Sequence, residues 1–399
     1  MRVYKVEIKL SEEQKNKLRR TIGVCRFVYN LYLSQNKAIY EQEKRFVTAY
    51  EFSKWLNNDY LPNNPDKSWI KEVSSKAVKQ SIINAEIAFK RFFKGLGGFP
   101  NFKKKRNQDV KMHFVKTDAK TTIKCERHRL QVPTLGFVRL KEYGYVPADK
   151  TIKSGTVSEK AGKFYVTVLT DEEHKEKKPE LNNNGLGIDL GISTLAVTSN
   201  GQVFENKNKT EQMQKKEKKL KREQRSLSRK YENKKKRGET ANQDAWASSW
   251  RSQRPAQKSA NIEKNVLRVQ KLHQELSRKR QEYIRYVVSV LVKTKPKYIT
   301  IEDLNISGMM KNKHLSKAIA QQNFYYFKLW LIYKCTQMGI EVRIADRFYP
   351  SSKLCSVCGC IKSDLKLKDR IYVCKCGNKI DRDLQAGINL ERCKVYKTA

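Results

Sequence analysis

Cys355 and Cys358, followed after 15 residues by Cys374 and Cys376, oblige two short loops to meet, because four thiolates at this spacing suit one tetrahedral Zn²⁺. Gly359 and Gly377 follow the two pairs directly, where a tight turn eases the backbone. The second pair has one intervening residue in place of the commoner two, which leaves Cys360 as an alternative ligand. Four cysteines close an ion off from substrate, so the expected role is a folding staple. Asp381 and Asp383 come immediately after the knuckle, and a metal-tied loop in that place positions an acid.

Two further acids are expected at strand ends. Asp189 follows the β-rich run Gly185 to Ile188, and Glu302 ends the run Tyr298 to Ile301. Asp383 precedes Leu384, Ala386, Ile388 and Leu390, which read as a helix face packed on a sheet. Hard carboxylates hold Mg²⁺ through one or two oxygens each, and two such ions suit phosphodiester cleavage. The histidines, His113, His128, His174, His273 and His314, fall outside any ligand spacing and read as structural or surface groups. The turn in GIDLGIS also occurs in actin-like ATPases, which share a ribonuclease-H-like core. The zinc motif, the basic charge and the third acid favour a nuclease, and no second glycine-rich phosphate loop favours the ATPase.

The charge agrees. Lys and Arg number 84 against 41 Asp and Glu, a net +43, and self-repulsion of that size calls for a polyanion. An anionic membrane is the competing partner, but no apolar run reaches about 18 residues, and the N-terminal MRVYKVEIKL lacks a signal peptide's apolar core. A cytoplasmic protein, nucleoid-associated in use, is expected. Cys25, Cys125, Cys335 and Cys393 are scattered and read as buried free thiols.

Along the chain, residues 2–10 alternate as a strand, and Ser11 caps an amphipathic helix. Helices are expected near 50–60 and 75–94, so 11–105 reads as a helical domain inserted after one strand. Short alternating runs over 110–170 (VKMHFVK, TTIKC, RLQVP, FVRLK, FYVTVLT) suggest a small antiparallel barrel that the opening strand joins. The stretch 171–184 reads as a linker. From Gly185 two strands and an Asn200-Gly201 hairpin begin an α/β layer, continued by a helix at 257–293, a strand, one helix near 315–338 and another strand. Residues 207–237 hold fifteen Lys or Arg against four Glu, which fits a helix lying along phosphates.

Taken in order, GFPNFKKKR at 98–106, GIDLGISTLAV at 187–197, ITIEDLNISGM at 299–309 and FYPSSKLCSVCG at 348–359 running on through CKCGNKIDRDLQAGINL make the chain resemble the TnpB family. These are RNA-guided DNA nucleases of bacterial transposons, similar to the ancestors of type V CRISPR effectors. The resemblance implies a multidomain α+β protein: a wedge-like antiparallel β-barrel (1–10 and 106–180), a helical recognition domain (11–105), and an RNase H-like RuvC α/β nuclease domain (185–347 and 378–399). A zinc ribbon, 348–377, would interrupt the last of these and bind target nucleic acid. Asp189, Glu302 and Asp383 take the family's three catalytic positions and would hold two Mg²⁺, and Cys355, Cys358, Cys374 and Cys376 would hold structural zinc. Asp383 falls in the family's D-x-N-A-A slot, with Gln385 for the usual Asn and Gly387 for an Ala. All three acids are present, unlike in nuclease-dead repressor-like relatives. The implied partners are a transposon-derived, omega-type guide RNA and double-stranded target DNA beside a short flanking motif. Lys103, Lys104, Lys105, Arg106, Lys234, Lys235, Lys236 and Arg237 are candidate phosphate contacts, and Phe99, Phe102 and Tyr349 candidate stacking rings. A guided repressor without cleavage, a compact type V effector and, more weakly, a DDE-type transposase are the alternatives.

Overall fold

The computed structural model describes residues 1–107, 109–116, 123–172, 179–243, 260–366 and 369–399, with the side chains of Arg106 and 237–243 left out. The chain divides into two units, Met1–His174 and Lys175–Ala399.

In the first unit β1 (Arg2–Lys9) buries Tyr4, Val6 and Ile8, the alternation its sequence carries. Ser11 then starts α1 (Glu12–Glu43) with a reciprocal capping box: its side chain accepts from the Gln14 N–H at 3.2 Å, and its own N–H donates to Gln14 Oε1 at 3.1 Å. α2 (Ala49–Trp55), capped by Thr48 and Glu51 in the same way, and α3 (Ser75–Phe93) close a helical core around Val28, Tyr32, Phe52, Ile82 and Phe89. The strands that follow are β2 (Met112–Val115), β3 (Arg129–Val132), β4 (Gly136–Leu140), β5 (Ile152–Lys160) and β6 (Lys163–Thr170). With β1 they form one antiparallel sheet in the order β2-β5-β6-β1-β4-β3, whose edges among the described residues are β2 and β3. The opening strand therefore sits inside the sheet, paired with β6 from Arg2 to Ile8 and with β4 at Ile8 and Lys9. Leu18, Cys25 and Ala77 of the helices share the sheet's core. Of the run TTIKC, Thr121 and Thr122 lie outside the described residues, and Cys125 makes only an isolated bridge to Leu130.

The second unit opens with β7 (Gly185–Leu190), β8 (Thr194–Thr198) and β9 (Val203–Glu205), and Gly201 takes φ 83° in the turn before β9. Two long helices follow, α4 (Glu211–Gln243) and α5 (Ala260–Lys293), then β10 (Tyr298–Glu302). The single helix expected over 315–338 is two, α6 (Ser316–Gln322) and α7 (Phe324–Met338), because Asn323 adopts the left-handed conformation (φ 57°). Asparagine enters that region more readily than most residues. The remaining elements are β11 (Glu341–Ala345), the hairpin β12 (Ile371–Val373) and β13 (Lys379–Asp381), α8 (Arg382–Glu391) and β14 (Tyr396–Thr398). The main sheet has the order β14-β11-β10-β7-β8-β9, with β10 parallel to both β7 and β11.

Strand alternation gives this sheet two different faces. Leu186, Ile188, Ile299 and Ile301 pack with Ile284, Val287 and Leu291 of α5 and Phe327 and Leu331 of α7. Gly187, on the opposite face, lies under α8: a Cβ there would meet the Gly387 carbonyl oxygen at 2.0 Å and the Glu391 nitrogen at 2.4 Å. A Cβ at Gly387 would in turn meet the Ser199 nitrogen at 3.1 Å, so glycine, not alanine, suits this helix-on-sheet crossing. Because the colliding atoms are backbone, Gly187→Ala is expected to destabilise the chain by about 3 kcal/mol, the upper end of ordinary overpacking costs. Chemical denaturation checks this, and an unchanged midpoint contradicts it. Among the described residues no helix is long and apolar enough to cross a membrane.

Candidate active site and cysteine knuckle

Ile188 of β7 and Ile301 of β10 are register partners in parallel strands, so the next residues, Asp189 and Glu302, stand side by side. Both fall on the α8 face, in step with Gly187 on β7 and with Tyr298, whose hydroxyl donates to the Glu391 carbonyl at 3.1 Å. Asp383 lies in the first turn of α8 and four residues before Gly387, on the stripe that crosses β7. Two strand ends and a helix start thus bring three half-buried acids from 189, 302 and 383 to one place. Asp381 has a separate task. Its Oδ1 accepts from the N–H groups of Asp383 and Leu384 at 2.9 and 3.0 Å, which makes it the N-cap of α8.

Burial, and then the charges of Glu302 and Asp383, hold the Asp189 carboxyl well above the usual carboxylate range, against a smaller opposing pull from Arg382. Burial also raises Glu302, and the hydroxyl of Ser351, which donates to Glu302 Oε1, partly offsets it. Asp383 has two guanidinium neighbours, Arg382 at 3.3 Å and Arg370 at 3.5 Å. The turn after Asp189 is tied down by Gln322, which donates to the Gly191 carbonyl at 3.0 Å, and by Asn206, which donates to that of Ile192 at 2.8 Å. Crowded, mutually repelling carboxylates are hard oxygen donors, the set that a divalent cation such as Mg²⁺ fits. Among the described residues, the only metal-ligating group whose donor atoms all lie within 4.8 Å of one another is the cysteine set. Asp189, Glu302 and Asp383 do not form such a group, so as placed they are not the joint ligand set of a single ion, whose oxygens at about 2.1 Å lie within about 4.2 Å of one another.

The four cysteines are Cys355, Cys358, Cys374 and Cys376. Their sulfurs pair at 3.7 Å (Cys355 with Cys376) and 3.5 Å (Cys358 with Cys374). Both distances far exceed an S–S bond and lie near the edge of about 3.8 Å that a tetrahedron with Zn–S bonds of about 2.3 Å requires. Gly359 and Gly377 have φ of 73° and 88° in the turns after the two pairs. Burial would raise the Cys355 thiol, but the N–H groups of Cys358 and Val357 and the Asn378 side chain bring it down to about 6. Cys360 is exposed and outside the group. Of the scattered thiols, Cys25 and Cys335 are buried and pushed up to about 12 by burial, as inert packing residues would be.

The basic candidates form two sets. In the first unit the Lys103 backbone is held by Asn30 at 2.8 and 3.1 Å and its ammonium lies 5.3 Å over the Tyr29 ring, while Lys104 and Lys105 are exposed. In the second, Lys234 is half-buried and Lys235 and Lys236 exposed along α4. The side chains of Arg106 and Arg237 lie outside the described residues, as does His174. Phe99 and Phe102 are exposed, whereas Tyr349 is half-buried and donates to the Asn389 carbonyl at 3.0 Å, so its ring supports α8.

Ser351, Gln385 and Asn389 were not singled out as site residues by the sequence. Gln385 and Asn389 sit four apart on α8 and are both buried, a polar pair on a packed helix face that is the signal for them. The residue in the altered motif slot therefore packs against the cysteine loop: Gln385 Nε2 donates to the Leu354 carbonyl at 2.6 Å, and its Oε1 accepts from Ser356 at 2.9 Å.

Three family models match the chain: a helix-turn-helix domain of IS605 OrfB proteins over residues 1–45, IS605 OrfB itself, described as a probable transposase, over 166–313, and a Cas12f1-like TNB domain over 324–390. In the structure the first of these spans holds one strand and one 32-residue helix. The chain is 27% identical over 392 residues to InsQ of Escherichia coli K12, a candidate RNA-guided DNA endonuclease by name, covering 94% of this chain and 87% of that one. It is 25% identical over 394 residues to a similarly named protein of Streptomyces pristinaespiralis, covering 98% and 88%. The fold is similar to that of the protein in a Cas12f1–guide RNA–target DNA complex, with TM-score 0.58, 14% identity, and coverage of 97% and 84%.

Proposed function

The chain belongs to the TnpB family, the OrfB proteins of IS605 transposons, and from that premise we propose that it is an RNA-guided DNA endonuclease. The observation that carries the reading is the convergence of Asp189, Glu302 and Asp383 on one face of the second unit's sheet, under the start of α8. In this reading that unit holds a RuvC-type, RNase H-like nuclease domain (185–347 and 378–399) interrupted by a zinc ribbon (348–377). The sheet of the first unit (1–10 and 106–180) is the wedge domain and its helices (11–105) the recognition domain. The names carried by the E. coli and Streptomyces relatives support the activity.

The three carboxylates would hold Mg²⁺, and Cys355, Cys358, Cys374 and Cys376 Zn²⁺. Bound Mg²⁺ supplies an activated water and neutralises charge on a phosphodiester. The protein's own part is placement. β7 and β10 hold Asp189 and Glu302 rigidly, Ser351 orients Glu302, and α8 presents Asp383 beside Arg370 and Arg382, which can face a phosphate. Sequence is read by pairing between a transposon-derived guide and one target strand, and Lys103 to Arg106 and Lys234 to Arg237 contact phosphates without reading bases.

The test uses the purified chain with its copurifying RNA, target plasmid, and Mg²⁺ or Mn²⁺. Cleavage that needs the matching guide, a flanking motif and the divalent ion is expected. Target that is bound yet uncut at every concentration of either ion sinks the nuclease reading in favour of a guided repressor. Sequencing the bound RNA tests the guide's origin, and a CRISPR-repeat transcript overturns the transposon assignment.

A further inference from the structure

Ser351, Gln385 and Asn389 are 4%, 0% and 2% exposed and belong to neither ligand set, yet their hydrogen bonds join the two. The Leu354 carbonyl, one residue before Cys355, accepts from both Gln385 Nε2 and Asn389 Nδ2, each at 2.6 Å. Asn389 Nδ2 also reaches the Ser351 carbonyl at 2.7 Å, and the Ser351 hydroxyl donates to Glu302. Gln385 Oε1 accepts from Ser356 at 2.9 Å and from Asn378 Nδ2 at 3.3 Å, and that same Asn378 nitrogen lies 3.4 Å from Cys355 Sγ. Burying two amides on one helix face is costly unless each is satisfied, and here one loop satisfies both. An apolar face would pack α8 with less desolvation, whereas the amide pair fixes one register between helix and loop.

We propose that Ser351, Gln385 and Asn389 are positioning residues through which the cysteine site sets the geometry of the carboxylate site. Zinc fixes the loop 351–358, Ser351 carries that order to Glu302, and Gln385 with Asn389 carries it along α8 to Asp383. The proposal rests on the carboxylate reading given above, and its test separates the two.

The probe is Mn²⁺, titrated into the full chain and read from the electron paramagnetic resonance of the free ion, with zinc content measured on the same samples. Gln385→Ala is expected to retain one zinc per chain and to bind Mn²⁺ roughly ten- to a hundredfold more weakly, the range found for outer-shell partners of metal ligands. Ser351→Ala should weaken Mn²⁺ binding likewise, and Ser351→Thr, which keeps the hydroxyl, should recover most of it. Zinc-loaded Gln385→Ala with parental Mn²⁺ affinity overturns the coupling. If Gln385→Ala loses zinc, Ser351→Ala decides, because its side chain bonds Glu302 and not the cysteine loop, and unchanged Mn²⁺ affinity in that variant overturns the proposal. Asp189→Ala serves as the control: Mn²⁺ binding unaffected by it would refute the carboxylate site itself.

Discussion

Asp189→Asn is expected to lower guided cleavage by roughly a thousandfold or more while guide and target binding stay within about twofold, because several kcal/mol of transition-state stabilisation goes with a metal ligand and each 1.4 kcal/mol is tenfold in rate. Asparagine keeps the volume and one oxygen but removes the anion. Asp189 is central to the cluster: its strand neighbours are β8 on one side and β10 on the other, and Glu302 stands beside it. Cleavage on a matched plasmid, with binding read separately, gives the comparison. A variant that cuts at the parental rate would remove Asp189 from the mechanism.

The same substitution has an opposite effect on the metal-free protein. Asp189 and Glu302 have folded-state pKa values raised by burial, so over that window the folded chain binds more protons than the unfolded one. Their contribution to stability is therefore fully present below the ordinary carboxylate pKa of about 4 and is lost as pH rises through the raised folded values. Asp189→Asn deletes one of these penalties and removes a negative charge from beside Glu302. Without divalent ions the variant should be more stable than its parent at neutral pH, and the gap should close near pH 4 or below. Added Mg²⁺ should stabilise the parent and leave the variant where it was, since only a state that binds the ion gains from it. Parallel denaturation curves with and without Mg²⁺ give the differences directly, and a variant less stable than its parent at pH 7 without metal contradicts the electrostatic account.

What could be read from the residues alone was whatever local chemistry announces. Ser11 with Gln14 marks the start of α1, Asn200-Gly201 marks a hairpin, and the paired cysteines mark a loop junction. The two acids after apolar runs are legible as strand ends because strand alternation and length fix them. β5 was missed for the converse reason: Ile152–Lys160 carries Ser154, Gly155 and Ser158, and its pairing with β6 over the whole hairpin supplies what its propensity lacks. The break at Asn323 hides in an apolar period that runs on through Ile319, Phe324 and Phe327. Asn389 and Gln385 could be seen as polar interruptions of a helix face, but not what they bind, since their partners Ser351, Leu354 and Ser356 lie about thirty residues upstream. The role of Asp381 follows the same logic: two aspartates two apart look alike until one is seen to cap the helix that carries the other.

Cys358→Ser, in the full chain, is expected to lose zinc and with it the order of the whole knuckle. Between Ser352 and Asp381 the described residues bury little: Cys355 and Tyr372 are its only buried side chains, and β12 and β13 are three residues each. A two-stranded hairpin of that size is not stable in water by itself, and a structural zinc supplies on the order of 10 kcal/mol of apparent folding free energy to small domains. Backbone amides of β12, β13 and the loop 353–362 should thus become unprotected from hydrogen exchange in Cys358→Ser. Amides of β7 and β10 should stay protected, because the second unit's main core, built from Leu186, Ile188, Ile299, Ile301 and the faces of α5 and α7, contains no residue of the knuckle. Cys360→Ser is the matching control: its thiol lies outside the ligand group, and its structural contribution is a backbone carbonyl that accepts from the Cys355 N–H at 2.9 Å and from the Tyr372 hydroxyl at 3.5 Å and survives the change. Full zinc retention and protection are expected there. If instead Cys358→Ser keeps its metal and Cys360→Ser loses it, the ligand set is Cys355, Cys360, Cys374 and Cys376, and the order of the knuckle would follow that fourth sulfur.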